Sequence, residues 1–201
     1  MKRVFLDMDG VIVNFAKAFE VRAEEREPGF LVGIGYRGDF KEIEDLIQLK
    51  YEKEAKTEKE KKKAKYKAKD KFWKFVFGDV NWWVDMECLP DGKELFDALN
   101  TMRKNGLIGE LNILSAPAKR DPCVPDAKRK WLEKHGVTPC MDRIIIENDK
   151  YKFAETNNDI LIDDTVDKLT DWANAGGTPL LHKNTVKTLD TLNSILVKNC
   201  A

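Results

Sequence analysis

The chain is poor in the residues that staple small folds or knit structural metal sites. Among 201 residues there are four cysteines (Cys88, Cys123, Cys140 and Cys200) and two histidines, His135 and His182. No pair of cysteines has Cys-x-x-Cys spacing. That argues against a zinc ribbon, and four thiols in a chain of this length do not read as a disulfide framework. Reduced thiols in a cytoplasmic protein are the expectation. Long hydrophobic runs are absent too: no stretch of about eighteen apolar residues occurs. The apolar run after Met1-Lys2-Arg3 is too short for a signal segment, so no membrane partner is expected. Neither sign of charge dominates. Lysine plus arginine and aspartate plus glutamate both number 35, and net charge therefore implies no nucleic-acid partner.

What remains is enough for a packed domain. Apolar residues make up 42% of the chain, and its length suits one domain with a modest insertion. Five short apolar runs recur, at residues 3–7, 111–115, 143–147, 160–163 and 178–182. Each is rich in Val, Ile or Leu and bounded by polar, Gly or Pro residues, the pattern of strands buried on both faces. Helical patterns separate them. Leu95, Leu99 and Met102 share one face before the Asn105-Gly106 stop. Residues 125–135 begin with proline and end at Gly136. Residues 165–175 stop at Gly176-Gly177, and a last helix runs over about 184–198. Alternating strands and helices predict an α/β fold with a Rossmann-like parallel sheet.

Residues 16–88 break the alternation. They are expected to form a helical cap inserted after the first strand, leaving 1–15 and 89–201 as the core domain. Residues 50–71 hold eleven lysines mixed with glutamates. Glu52/Lys56 and Glu58/Lys62 have the spacing of favourable helical pairs, and Ala64, Ala68, Phe72 and Phe75 give a thin apolar seam. The run reads first as a solvated helix face, with a phosphate-attracting face as the alternative. Phe72, Trp73, Phe75, Trp82 and Trp83 read as packing between insertion and sheet, or as a stacking platform for a planar ligand.

Chemistry gathers where strands end. Asp7-Met8-Asp9-Gly10-Val11 follows the first strand directly, at the carboxyl edge where ligands sit in parallel sheets. Two carboxylates there repel unless a cation such as magnesium offsets them. Ser115 ends the second strand and offers a hydroxyl, Lys128 opens the next helix and offers a point charge, and Asp163-Asp164 end the fourth strand. Taken singly, Ser115 suits an N-cap or turn, Lys128 a solvated surface, and Asp163-Asp164 a helix cap. Taken together, the order acid pair, hydroxyl, lysine, acid pair suits a phosphoryl-transfer site.

These strings resemble the four motifs of the haloacid-dehalogenase (HAD) phosphohydrolases. More narrowly, they are similar to the 5'(3')-deoxyribonucleotidases. The likeness rests on residues 5–15 (FLDMDGVIVNF), 113–119 (ILSAPAK), 128–134 (KRKWLEK), Asp149-Lys150, residues 161–164 (LIDD), and Leu89-Pro90-Asp91-Gly92 leading into the next helix. It spans about residues 1–15 and 89–182, and it departs at Ala116, at Asn148 and through the lysine-rich segment. The resemblance implies a magnesium-dependent phosphomonoesterase acting on (deoxy)nucleoside monophosphates. In it Asp7 is the nucleophile and Asp9 the general acid and base. Asp7, Asp9 (through its carbonyl), Asp163 and Asp164 surround Mg2+. Ser115, Ala116, Lys128 and Lys150 hold the phosphate, with Lys150 and Lys119 at the polar edge of the pocket. Phe15 lines the nucleoside side, and Trp73, Trp82 and Trp83 are stacking candidates. The partner implied is a small nucleotide; a homodimer through cap or core is left open. The alternatives are a HAD phosphatase for another small ester or a nucleic-acid 3'-phosphate end, a phosphotransferase, and a non-catalytic binding protein using residues 50–71.

Overall fold

The structure is a computed structural model that describes residues 1–118, 121–138 and 141–197. Contacts divide the chain into two units, Met1–Phe15 with Val80–Ala201, and Ala16–Asp79.

The first unit is built on five parallel strands, β1 (Arg3–Leu6), β2 (Glu110–Ser115), β3 (Arg143–Ile146), β4 (Asp159–Asp163) and β5 (Thr178–Leu181). Their order is β3-β2-β1-β4-β5, so β1 is central and the chain winds outward to one side and then the other. In register, Leu6 pairs with Ile113 and with Ile162. This alignment brings the ends of β1, β2 and β4 level, and the reversal of winding beside β1 leaves a crevice there. The sheet is covered on both faces, which is why its strands carry no polar alternation. On one face Phe5, Leu114 and Leu161 pack with Leu169 and Trp172, and the Phe5 and Trp172 rings meet edge-on at 5.2 Å. Val4, Leu6, Ile160 and Ile162 point to the opposite face and are equally buried. The helices of this unit are α5 (Val80–Asp85), α6 (Gly92–Lys104), α7 (Val124–Lys134), α8 (Val166–Asn174) and α9 (Thr185–Val197). The parallel α/β architecture expected from the sequence is the one observed.

One buried ion pair anchors the lower end of β4. Arg3 Nε donates to Asp159 Oδ1 at 2.5 Å, and the Thr156 and Glu155 amides donate to Oδ2 at 2.8 and 2.9 Å. Burial pushes the Asp159 carboxyl up, but Arg3 and the two amides outweigh it and hold it below the ordinary carboxylate value. A depressed carboxylate gives stability above its unfolded pKa of about 3.9 that is lost as pH falls through the folded value. Asp159→Asn is therefore expected to lower stability at pH 7 by about 1.5–3 kcal/mol. The gap from wild type should close in strongly acidic solution. Denaturant melts across pH check this, and a gap that stayed constant would refute it.

The second unit is helical: most of α1 (Phe15–Arg26), then α2 (Phe30–Gly33), α3 (Ile43–Glu54) and α4 (Glu58–Lys74). Its centre is aromatic. Phe19 stacks on Phe72 at 4.3 Å, Phe40 and Phe75 meet Phe19 edge-on, and Phe30 leans on Phe75. Ile43, Ile47, Ala64 and Ala68 are buried where α3 packs on α4.

Three expectations about this region need correction. Residues 80–88 belong with the sheet unit, because α5 packs on α7. Trp131 Nε1 donates to the Met86 carbonyl at 2.8 Å, and Lys134 pairs with Asp85. The lysine run is not one helix: it breaks at Ala55–Thr57, where Thr57 and Glu60 form a capping box that starts α4. Glu52 and Lys56 consequently share no helix, and Glu58 pairs with Lys61 instead of Lys62. The aromatic residues also form two clusters instead of one, with Phe72, Trp73 and Phe75 in the helical unit and Trp82 and Trp83 in the sheet unit.

Candidate active site

After β1 the chain folds tightly on itself. The Met8 carbonyl accepts from the Ile12 and Val13 amides, and Gly10 N donates to the Val13 carbonyl. This turn holds Asp7 and Asp9 at the crevice, beside the ends of β2 and β4. Gly10 has φ +76°, and a Cβ there would lie 2.7 Å from Asp164 Oδ2. Only glycine lets the turn run this close to Asp164. Gly10→Ala is expected to lower stability by at least about 1–2 kcal/mol from left-handed strain alone, read as a drop in melting temperature. An unchanged melt would show that turn and carboxylate can separate freely.

Two buried lysines organise the acids. Lys128, from α7, donates to Asp9 Oδ2 at 2.6 Å, Ser115 Oγ at 2.8 Å and the Ala116 carbonyl at 2.9 Å. All three of its N–H groups are engaged, and the side chain is 2% exposed. Lys150 lies in the 3-10 turn Lys150–Phe153 that follows β3. Its Nζ sits 2.8 Å from Asp7 Oδ1 and 2.6 Å from Asp163 Oδ2. The resemblance implies a phosphate-binding Lys150 at the polar edge of the pocket. It is instead enclosed within the acid cluster, since a buried ammonium needs carboxylates around it.

The electrostatics drive Asp7 and Asp9 apart. Burial pushes the Asp7 carboxyl up, but Lys150 and Lys128 outweigh it and the net shift is down. Burial also raises Asp9; Lys128 opposes this, the nearby Asp7 charge adds to it, and the net shift is up. Asp163 is pushed up to about 6 by burial and by Asp7, against the pull of Lys150. Lys150 stays firmly protonated, because Asp7 and Asp163 outweigh its desolvation.

Asp7, Asp163 and Asp164 each offer an oxygen within 4.8 Å of the others. Three hard carboxylate oxygens from two adjacent strand ends suit magnesium in ligand type. The resemblance gives Asp9 a metal-binding role through its backbone carbonyl; its carboxylate stands outside this triad, as a general acid and base should. One of its oxygens faces Lys128, and the other is buried without a hydrogen-bond partner. Asp163 Oδ1 accepts from the Thr165 amide, so it caps the approach to α8 while facing the site.

Of the aromatic candidates, Phe15, Trp82 and Trp83 cluster in the sheet unit, with ring centroids 5.0–5.6 Å apart. Trp83 is buried, and its Nε1 lacks a hydrogen-bond partner. Trp73 belongs to the helical unit, where it meets Phe72 edge-on. Lys119 lies outside the described residues. Gly10, within the Asp7–Val11 motif, also forms a wall of the site, and its identity as glycine is the sequence signal for that close approach. No helix among the described residues is long and apolar enough to cross a membrane.

No protein-family profile matches the chain, and no curated protein matches it in sequence. Its fold is shared with solved structures. YfnB of Bacillus subtilis, described as a HAD-hydrolase and bound to magnesium, is 15% identical at a TM-score of 0.58, covering 97% of this chain and 98% of that one. The L-2-haloacid dehalogenase of Xanthobacter autotrophicus is 14% identical at 0.55, covering 90% and 77%. A HAD-superfamily hydrolase of Ehrlichia chaffeensis is 15% identical at 0.50 over the full length of both chains. At these identities the likeness is one of fold, and the chain is built as HAD proteins are.

Proposed function

We propose that this chain is a magnesium-dependent phosphomonoesterase of the HAD type, hydrolysing (deoxy)nucleoside monophosphates to nucleoside and phosphate. One observation carries the reading: the two carboxylates at the end of β1 stand beside an acidic triad and two buried lysines that contact them directly, and burial and these neighbours push Asp7 down and Asp9 up. Opposed shifts are how an acid and a base are assigned within one site. Asp7, held low, is the nucleophile; Asp9, held high, is the proton donor.

In the first step an Asp7 oxygen attacks phosphorus, the ester P–O bond breaks, and Asp9 gives its proton to the departing alkoxide. In the second, water attacks the aspartyl-phosphate, Asp9 takes the water proton, and phosphate leaves as Asp7 is regenerated. Lys128 positions Asp9 and Ser115, which, with Ala116, faces the phosphoryl oxygens. Lys150 holds Asp7 and Asp163 in place before substrate arrives. Asp7, Asp163 and Asp164, with the Asp9 carbonyl that the resemblance adds, would hold magnesium, which would supply positive charge against the mutual repulsion of these carboxylates and the phosphate. The partly exposed Phe15 and Trp82 favour a base-bearing leaving group, with Trp73, Trp83 and Lys119 as further contacts implied by the resemblance.

The test is release of phosphate from deoxy- and ribonucleoside monophosphates and p-nitrophenyl phosphate, with magnesium and with EDTA, alongside chloride release from 2-chloropropionate. Magnesium-dependent hydrolysis favouring nucleotides is expected. Hydrolysis of the aryl ester alone would remove the nucleotide. Chloride release without phosphate release would replace the reading with dehalogenation. No turnover by folded, magnesium-bound protein would leave a binding protein.

A further inference from the structure

The balance of 35 cationic and 35 anionic side chains hides a segregation. Helix α4 alone holds nine lysines against Glu58, Glu60 and Asp70. It carries a formal +6, and the rest of the chain therefore carries −6. The helix also sorts its residues by face. Ala64, Ala68 and Phe72 are buried. Opposite them, at intervals of three and four, run Lys59, Lys62, Lys63, Tyr66 and Lys69, all exposed, with Asp70 beside Lys69 and the half-buried Trp73 ending the stripe. Among the described residues, Lys61 is matched by Glu58 and Lys71 by Glu27. Among the described residues, no carboxylate lies within ion-pair distance of Lys59, Lys62, Lys63 or Lys69. A helix interior that needed only solubility would alternate its charges; this face does not.

Tyr66 identifies the partner. It is 69% exposed in the middle of the lysines, a flat apolar ring with a cationic neighbour on each side. Phosphates alone would have no use for it, whereas an unstacked base has a face to lay against it. A lipid surface would need an apolar stripe to insert, and the apolar residues of α4 are already buried in the helical unit. From Lys59 to Lys69 the helix rises about 15 Å, a length over which its four outward lysines can each meet a phosphate of one extended strand. We propose that the outer face of α4 binds single-stranded nucleic acid, with Lys59, Lys62, Lys63 and Lys69 on the phosphates and Tyr66 against a base. The site is separate from the acid cluster in sequence and in unit, and the proposal holds whether or not the chain is a nucleotidase.

The experiment is fluorescence anisotropy of the full chain with a labelled oligothymidylate across a salt series. Wild type should bind at near-physiological salt, with log K falling against log salt at a slope of about −3, as four single-strand phosphate contacts require. The combined variant K59Q/K62Q/K63Q/K69Q should flatten that slope and weaken binding at least about tenfold. Glutamine keeps the helix, since its propensity is close to that of lysine, and circular dichroism verifies this. Tyr66→Ala should weaken binding about tenfold with the slope unchanged. The control K183Q/K187Q, in the other unit, should bind as wild type, and hydrolysis of a small ester should be the same in all four proteins. Failure of wild type to bind, or full binding by the fourfold lysine variant, overturns the proposal. So would equal affinity for polyglutamate or phosphatidylserine vesicles together with no effect of Tyr66→Ala, since the face would then attract any polyanion.

Discussion

Asp7→Asn is expected to slow magnesium-dependent phosphate release by about 10⁴-fold or more, with melting close to that of wild type. Asparagine has the same shape but cannot attack phosphorus as a carboxylate. Structurally the change is mild, because Lys150 keeps Asp163 as a partner at 2.6 Å. One confusion has to be removed: Asp7 is also one of the three grouped oxygen donors, and a variant that merely bound magnesium poorly would also be slow. Raising magnesium separates the two. Asp164→Asn, which leaves the nucleophile in place, should recover turnover as the ion is increased, whereas Asp7→Asn should not recover at any concentration. Near-normal hydrolysis by purified Asp7→Asn would falsify the nucleophile assignment.

Lys150→Met is expected to damage the fold itself. The ammonium lies between Asp7 and Asp163, and all three side chains are at most 10% exposed. Methionine has a similar stem and no charge, so the substitution leaves two buried carboxylates facing each other. Breaking a buried pair in this way costs about 3–5 kcal/mol. For a chain of this size the loss corresponds to a drop in melting temperature of about 6–20 °C. Magnesium should return part of it, since a divalent cation bound by the same carboxylates offsets their repulsion. Calorimetry with magnesium and with EDTA checks both parts. A loss below about 1 kcal/mol would mean that the pair is no better than a surface contact. Lys128→Met should cost less, because it strips the cation from one carboxylate, Asp9, instead of leaving two buried carboxylates facing each other.

The strand ends were legible because burial on both faces leaves a plain signature: a run of branched apolar residues that stops at an acid or a hydroxyl. Leu6-Asp7, Leu114-Ser115 and Ile162-Asp163 all read that way, and parallel pairing brings them level. Lys150 was less readable. Nothing in the string Asp149-Lys150-Tyr151 tells a buried ammonium from a solvated one, since the difference lies in carboxylates far away in sequence. The break inside the lysine run had a visible signal in Thr57 followed by Glu60, but uninterrupted charge on both sides masked it. Trp82 and Trp83 were assigned to the insertion because aromatic density continues from Phe72 onward. Their true attachment depends on α5 packing against α7, a contact between segments 40 to 50 residues apart that periodicity does not carry.

The segment before the helical unit and the segment after it are hydrogen-bonded to each other. Val13 bridges Cys88 in antiparallel fashion, the Asn14 amide donates to the Glu87 carbonyl, and the Leu89 amide donates to the Ile12 carbonyl. The backbone that leaves the sheet unit and the backbone that returns to it are thus clasped within that unit, and everything between is a closed excursion. Loop-closure entropy depends only weakly on the length of such an excursion. A longer or shorter excursion between the clasped ends would change the closure cost by only about 0.6 kcal/mol per doubling of its length. The clasp fixes both ends of the helical excursion with the sheet unit's own backbone, whatever length of chain runs between them.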